Sequence, residues 1–168
     1  MKQSISSLIK QILKQLGENP NRDGLKETPK RIERMYHELL KGYEIDPRSV
    51  FKRFDGEKYS GLIVVSDIDF YSLCEHHMLP FCGKVHIGYV PDGHILGLSK
   101  FARLVEIFAR RLQVQERMTK QIADALQSNM NPKGVAVYCE AQHLCMSMRG
   151  IKKTNCWAKT LITSGLFK

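Results

Sequence analysis

Leu62–Tyr71 reads LIVVSDIDFY and, past the connection Ser72–Pro80, Phe81–Val90 reads FCGKVHIGYV. The first run is rich in Val and Ile and partly alternates apolar with polar residues, the mark of a strand with one face buried. In the second, Phe81, Val85, Ile87 and Tyr89 fall on one face and Lys84 and His86 on the other, because successive side chains of a strand point to opposite sides. Two such runs joined by a short connection predict a hairpin-like pair.

Outward from this pair the period changes. Pro91-Asp92-Gly93 supplies a turn. Phe101, Leu104, Val105, Phe108 and Leu112 then stripe a helix from about Ser99 to Leu112, and Met118, Ile122, Ala125 and Leu126 stripe a second from about Gln115 to Asn129. Asn131-Pro132-Lys133-Gly134 breaks the pattern. Val135–Met148 reads as a strand and Cys156–Ile162 as a last one.

Toward the N-terminus, Ile5, Leu8, Ile9, Ile12, Leu13 and Leu16 follow helical spacing, and Gly17 ends that helix. Lys2, Lys10 and Lys14 lie opposite this stripe, which suits packing on the protein's own core or on a neighbouring subunit better than a membrane surface. A second helix is predicted from Thr28 as N-cap, with Pro29 in the first turn, Ile32, Met35, Tyr36, Leu39 and Leu40 as its apolar stripe, and Gly42 at its C-terminal end. Residues 43–60 read as polar and irregular. The expected class is α+β with an antiparallel four-stranded sheet. A helical region over 1–50 precedes the sheet-bearing domain over 51–168, as one structural unit. The two sheet edges invite pairing with further copies of the chain.

The chain of 168 residues suffices for one well-packed domain. No apolar run approaches the roughly 20 residues of a membrane span, and no signal peptide is legible, so the expected place is the cytoplasm, with no membrane partner. A net charge of +9 attracts polyanions. The basic residues are spread along the chain rather than gathered in one tail, which favours a phosphorylated small molecule over nucleic acid. The five cysteines, an odd number, point to metal binding or burial rather than to a disulfide framework.

The chemistry concentrates in Cys74-Glu75-His76-His77. A Cys and a His three apart can turn sulfur and nitrogen toward one ion, as zinc ligation requires. His143-Leu144-Cys145 adds a third donor: within a strand, His143 and Cys145 share a face. Three protein ligands leave a position for water, the pattern of a catalytic zinc. Cys139 shares that parity and Cys82 is near in sequence, so both stand as candidates for a fourth ligand. His76 and His143 remain for proton transfer. Lys100 and Arg103 lie on one face at the cation-unfavourable start of a helix. They suit either a bound anion, joined by Ser99, or two solvated charges. Arg149 keeps the parity of the Cys145 strand and suits a phosphate or a surface ion pair. Glu116, beside Gln115, opens a helix, where a carboxylate is favourable in any case.

Taken together, Cys74–Phe81, Leu96–Arg103, Gln113–Thr119 and His143–Gly150 resemble the GTP cyclohydrolase I family, in the family's order, within a likeness running from about Gly24 to Phe167. The resemblance implies a tunnelling fold (T-fold), with the sheets of several subunits joined into a barrel and stacked as a homodecamer. It implies zinc on Cys74, His77 and Cys145, with His76 and His143 as acid/base groups. GTP would lose C8 as formate and close to 7,8-dihydroneopterin triphosphate, the first step toward pterins and folate. Glu116 and Gln115 would meet the guanine, and Ser99, Lys100, Arg103 and Arg149 the triphosphate, in a pocket between subunits. A zinc nucleobase deaminase fits less well, since its His-x-Glu and Pro-Cys-x-x-Cys are missing. A zinc-stabilised basic module for nucleic acid would need a closed site of four ligands.

Overall fold

The computed structural model describes residues 3–168, so Lys2 lies outside the described residues. The chain forms two compact units, one ending at Leu40 and the other spanning Lys41–Lys168.

The first unit holds two helices packed on each other. Helix α1 (Ile5–Gln15) is capped by Ser4, whose hydroxyl oxygen accepts from the Ser7 amide. It ends as expected at Gly17, φ 82°. Helix α2 (Thr28–Leu39) starts one residue earlier than its sequence suggests. Thr28 is its first helical residue rather than its cap, and its hydroxyl donates back to the Gly24 carbonyl at 3.4 Å. Pro29 still falls in the first turn, where no N–H is needed.

The second unit begins with two 3₁₀ turns, Lys41–Tyr43 and Pro47–Val50, inside a stretch whose composition reads as irregular. Asp46 organises the second by accepting from the Arg48 amide. Gly42 does not end α2. It lies in the first turn because a Cβ there would collide with the Ile107 carbonyl. The chain continues through β1 (Arg53–Asp55), β2 (Ile63–Cys74), β3 (Pro80–Val90), β4 (His94–Leu96), α3 (Leu98–Ala109), β5 (Leu112–Gln113), α4 (Gln115–Met130), β6 (Gly134–His143), α5 (Leu144–Ser147) and β7 (Ala158–Gly165). β1 and β4 form a small two-stranded sheet.

The main sheet has five strands in the order β5-β2-β3-β6-β7. The four long strands pair antiparallel, as the sequence predicts. The fifth is short and parallel: α3 stops at Ala109, so Leu112 leaves the helical stripe and pairs with Leu73, and Gln113 with Cys74. Arg111 secures this exit by donating from Nε to the Gly42 and Ile107 carbonyls. The predicted inward face of β3 is fully buried, with Phe81, Val85, Ile87 and Tyr89 each no more than 2% exposed. α3 covers β2, and α4 covers β6 and β7. Phe101, Leu104, Val105 and Phe108 of α3 and Met118, Ile122 and Leu126 of α4 complete the core.

One expectation fails in a way that shapes the site. The strand read as Val135–Met148 stops at His143, and the next four residues wind into α5. The partner strand runs out there: His143 pairs with Phe81, and Pro80 before it has no N–H to offer.

Candidate metal and substrate site

Three elements end at the same corner of the sheet. β2 ends at Cys74, β3 begins at Pro80, and β6 ends at His143, with β5 and the start of α4 alongside. The connection from Cys74 to Leu79 folds tightly back on itself. The amides of His77 and Met78 both donate to the Cys74 carbonyl, and the Cys74 amide donates to the Leu79 carbonyl. Met78 takes a left-handed φ of 54° to close the turn. This curl swings His77 over Cys74.

Cys145 arrives from the other side. It does so on the helical turn α5 rather than on the strand, so the shared parity with His143 is not what places it. One donor atom each from Cys74, His77 and Cys145 lie within 4.8 Å of one another. Cys74 is buried, Cys145 half-buried and His77 exposed. The thiol of Cys145 is pushed up by burial and by the adjacent Cys74 sulfur, with the Arg149 charge working against that. Cys82 and Cys139 are not in the cluster. Cys139 faces the core, where burial drives its thiol up to about 12.

Around these donors stand the other residues of the motifs. His76 Nδ1 lies 3.7 Å from Cys74 Sγ, at the rim. Arg149 Nη1 donates to His77 Nε2 at 3.1 Å, so the arginine reaches the cluster although the strand expected to carry it has ended. His143 stacks on Phe81 with ring centroids 4.5 Å apart and planes 4° from parallel. Its Nε2 is 2.9 Å from Oε1 of Gln115. Burial holds His143 below the usual histidine range, opposed by the Glu116 carboxylate nearby. Glu116 itself is exposed at the start of α4, whereas the neighbouring Gln115 is buried.

Sequence reading overlooks two contacts here. Phe81 was expected only as core, yet it also sets the plane of His143; the cross-strand register that makes them partners is not written in either motif. Glu75, silent in the sequence, accepts two hydrogen bonds from the Arg117 guanidinium, one of them 2.9 Å long. That pair ties the metal turn to the helix carrying Glu116. Opposite charges in two motifs were the available signal.

Ser99, Lys100 and Arg103 stand elsewhere. They line a cleft of about 710 Å³ together with Lys41, Asp69 and Glu106, and no residue of the metal cluster lines it. The cap of α3 is Gly97, so no side chain satisfies its first N–H groups. An anion at the helix start would meet Lys100, Arg103, the Ser99 hydroxyl and the positive end of the helix, with Lys41 adding a third cation and Asp69 and Glu106 opposing on the cleft wall.

The family model described as GTP cyclohydrolase I matches residues 5–168. Among curated proteins, "GTP cyclohydrolase 1" of Chlorobium chlorochromatii (strain CaD3) is 52% identical, over 98% of this chain and 74% of that protein. The protein of that name from Streptococcus agalactiae serotype V is 49% identical, over 99% of this chain and 89% of its own length. That from Carboxydothermus hydrogenoformans is 48% identical, over 99% and 87%. Among solved structures, the apo form of an archaeosine synthase QueF-Like resembles 62% of this chain and 93% of that one, with a TM-score of 0.48 and 17% identity. That last likeness is too loose to bear on function. The match over nearly the whole chain, with all four motifs inside it, makes this chain a member of the GTP cyclohydrolase I family.

Proposed function

We propose that this chain opens the imidazole ring of GTP at C8, releases formate and recloses the product as 7,8-dihydroneopterin triphosphate, using one zinc ion held by Cys74, His77 and Cys145. The observation that carries this reading is the convergence of those three donors beside His143 at one corner of the sheet. Two thiols and an imidazole are a donor set zinc takes readily, and three protein ligands are the open, catalytic form of such a site. When bound, the ion supplies a water acidic enough to react near neutral pH.

The chain's own residues do the rest. C8 leaves as formate only when both of its bonds, to N9 and to N7, have been hydrolysed, two waters entering and one leaving again at reclosure. Each departing nitrogen gains a proton, and His143, clamped between Phe81 and Gln115, is held in place to deliver it. His76, exposed on the turn, exchanges protons with solvent. Glu116 accepts from the guanine N1–H and 2-amino group with its two oxygens. Ser99, Lys100 and Arg103 hold the triphosphate in their cleft, and Arg149 reaches it from the side of the three donors.

The phosphate cleft and the metal corner share no lining residue in one chain. We therefore place the complete site between copies, in a homo-oligomer whose sheets join edge to edge into the family's barrel, as a decamer. No helix of the described residues is long and apolar enough to cross a membrane. GTP and the pterin pathway that takes the product place the work in the cytoplasm. Incubation with GTP tests the reading: formate and, after oxidation, a fluorescent pterin appear together. Protein that releases neither from GTP refutes it.

A further inference from the structure

Gln115 is 1% exposed, yet every hydrogen bond of its side chain is made inside the protein. The two N–H groups of its Nε2 face three acceptors, the Cys139 carbonyl at 3.1 Å, the Ala158 carbonyl at 3.1 Å and Thr160 Oγ1 at 3.2 Å, so one N–H is shared. The hydroxyls agree with this arrangement. Thr119 Oγ1 donates to the Gln115 carbonyl at 2.8 Å, so Thr160 Oγ1 must be the donor in its 2.7 Å contact with Thr119 and keeps a lone pair for Gln115. Turning the amide over would press its oxygen against two backbone carbonyls, so the network allows one orientation. Oε1 then faces His143 Nε2 at 2.9 Å.

An amide oxygen only accepts hydrogen bonds. The proton between the two residues must therefore sit on His143 Nε2. In the neutral ring this leaves Nδ1 as the nitrogen with a free lone pair, and in the charged ring Nδ1 carries the proton that can be released. Phe81, stacked flat on the imidazole, fixes the plane of the ring.

We infer that Gln115 is a positioning residue that holds His143 as the Nε2–H tautomer and leaves Nδ1 as the ring nitrogen without a proton. This rests on the role given to His143 above. It assigns the Gln115 side chain to His143 rather than to the guanine, and leaves guanine recognition to Glu116.

The test is nitrogen NMR of the full-length, zinc-loaded protein with ¹⁵N-labelled histidine rings, with His143→Ala subtracted to identify the His143 signals. The expected spectrum, without GTP, shows a protonated, pyrrole-type Nε2 and a bare, pyridine-type Nδ1. Gln115→Met, which keeps the volume and loses the oxygen, should mix the two tautomers. It should lower kcat by roughly 10²-fold, near the lower end of a general acid–base contribution. KM for GTP should move less than about twofold, with bound zinc unchanged. Gln115→Glu keeps an acceptor facing Nε2 while its other oxygen, protonated, donates to the carbonyls of Cys139 and Ala158 in place of the amide; in that form it should retain the tautomer and more of kcat than Gln115→Met, at a cost in stability. A wild-type His143 protonated on Nδ1 overturns the inference. So does a Gln115→Met enzyme of unchanged kcat, or a loss of kcat in both variants that merely follows their loss of folded protein. If Gln115→Met does not fold, the wild-type spectrum decides alone. Because that spectrum needs no substrate, it stands apart from whether GTP is the molecule turned over.

Discussion

Cys74, His77 and Cys145 divide the labour around the site differently from His143, although all four lie at one corner. The first three place donor atoms toward a common point. His143 instead spends its two ring contacts on Phe81 and Gln115. Cys74→Ser, His77→Ala and Cys145→Ser should each lose bound zinc and turnover. His143→Ala should keep one zinc per chain and lose roughly 10²–10⁴-fold in kcat; zinc loss in that variant, measured by elemental analysis, would make it a ligand. On the proposed reading, selectivity rests on Glu116. Adenine has no 2-amino group and an unprotonated N1, which leaves a carboxylate oxygen facing a lone pair, and sites that bond a substrate group reject analogues lacking it by about 10⁴–10⁵-fold. GTP should turn over, ATP should not, and ITP should fall between. Glu116→Gln should depress GTP turnover severely while zinc and melting temperature stay near wild type. A variant with unchanged kinetics would reduce Glu116 to a favourable charge at a helix start. That Cys74, His77 and Cys145 could gather as donors was legible from residue type and spacing. The route by which Cys145 reaches the other two was not, because a helical turn and a strand both bring residues 143 and 145 near one another.

At the scale of elements, alternation and helical period located the four long strands and the helices. They failed where partners rather than propensities decide. β6 stops because β3 has no further N–H to pair, a fact held by Pro80 far along the chain. β5 is two residues long and exists because Arg111 and Gly42 turn the end of α3 aside, too short a run for any period to register. Gly83 sits in β3 beside Cys82 and opposite Ala141, where a Cβ would be driven into the Glu140 carbonyl and the Ala141 backbone. Gly83→Ala should force β3 and β6 apart two residues from Phe81, lowering stability and kcat together. Val85→Ala, in the fully buried face, should cost roughly 2–4 kcal/mol of unfolding free energy, by analogy with other large-to-small core changes. Chemical denaturation distinguishes them: Val85→Ala should lose stability with folded-state kcat nearly intact, and equal effects on kcat would deny Gly83 its special place.

Over the whole molecule, charge was legible as a preference for anions, and the cations of Leu96–Arg103 found a cleft of their own. The pattern of one chain does not say how that cleft lies relative to the three donors, and a site shared between copies is the arrangement proposed. Two inactive variants test the division. On the proposed assignment, Lys100→Ala should lose phosphate binding and His143→Ala should lose proton transfer. Mixed oligomers refolded from equal amounts should regain up to about a quarter of wild-type activity, because that share of shared sites combines two intact halves. Activity no higher than that of the parents would confine each site to one chain.

Ring opening, as proposed, depends on zinc held by Cys74, His77 and Cys145. Zinc is stripped from the purified protein with a chelator and returned in measured steps, and formate release from GTP is followed against metal bound. Formate release should be negligible in the stripped protein, rise in proportion to bound zinc and level off at about one ion per chain. Full formate release from verified metal-free protein would contradict the account.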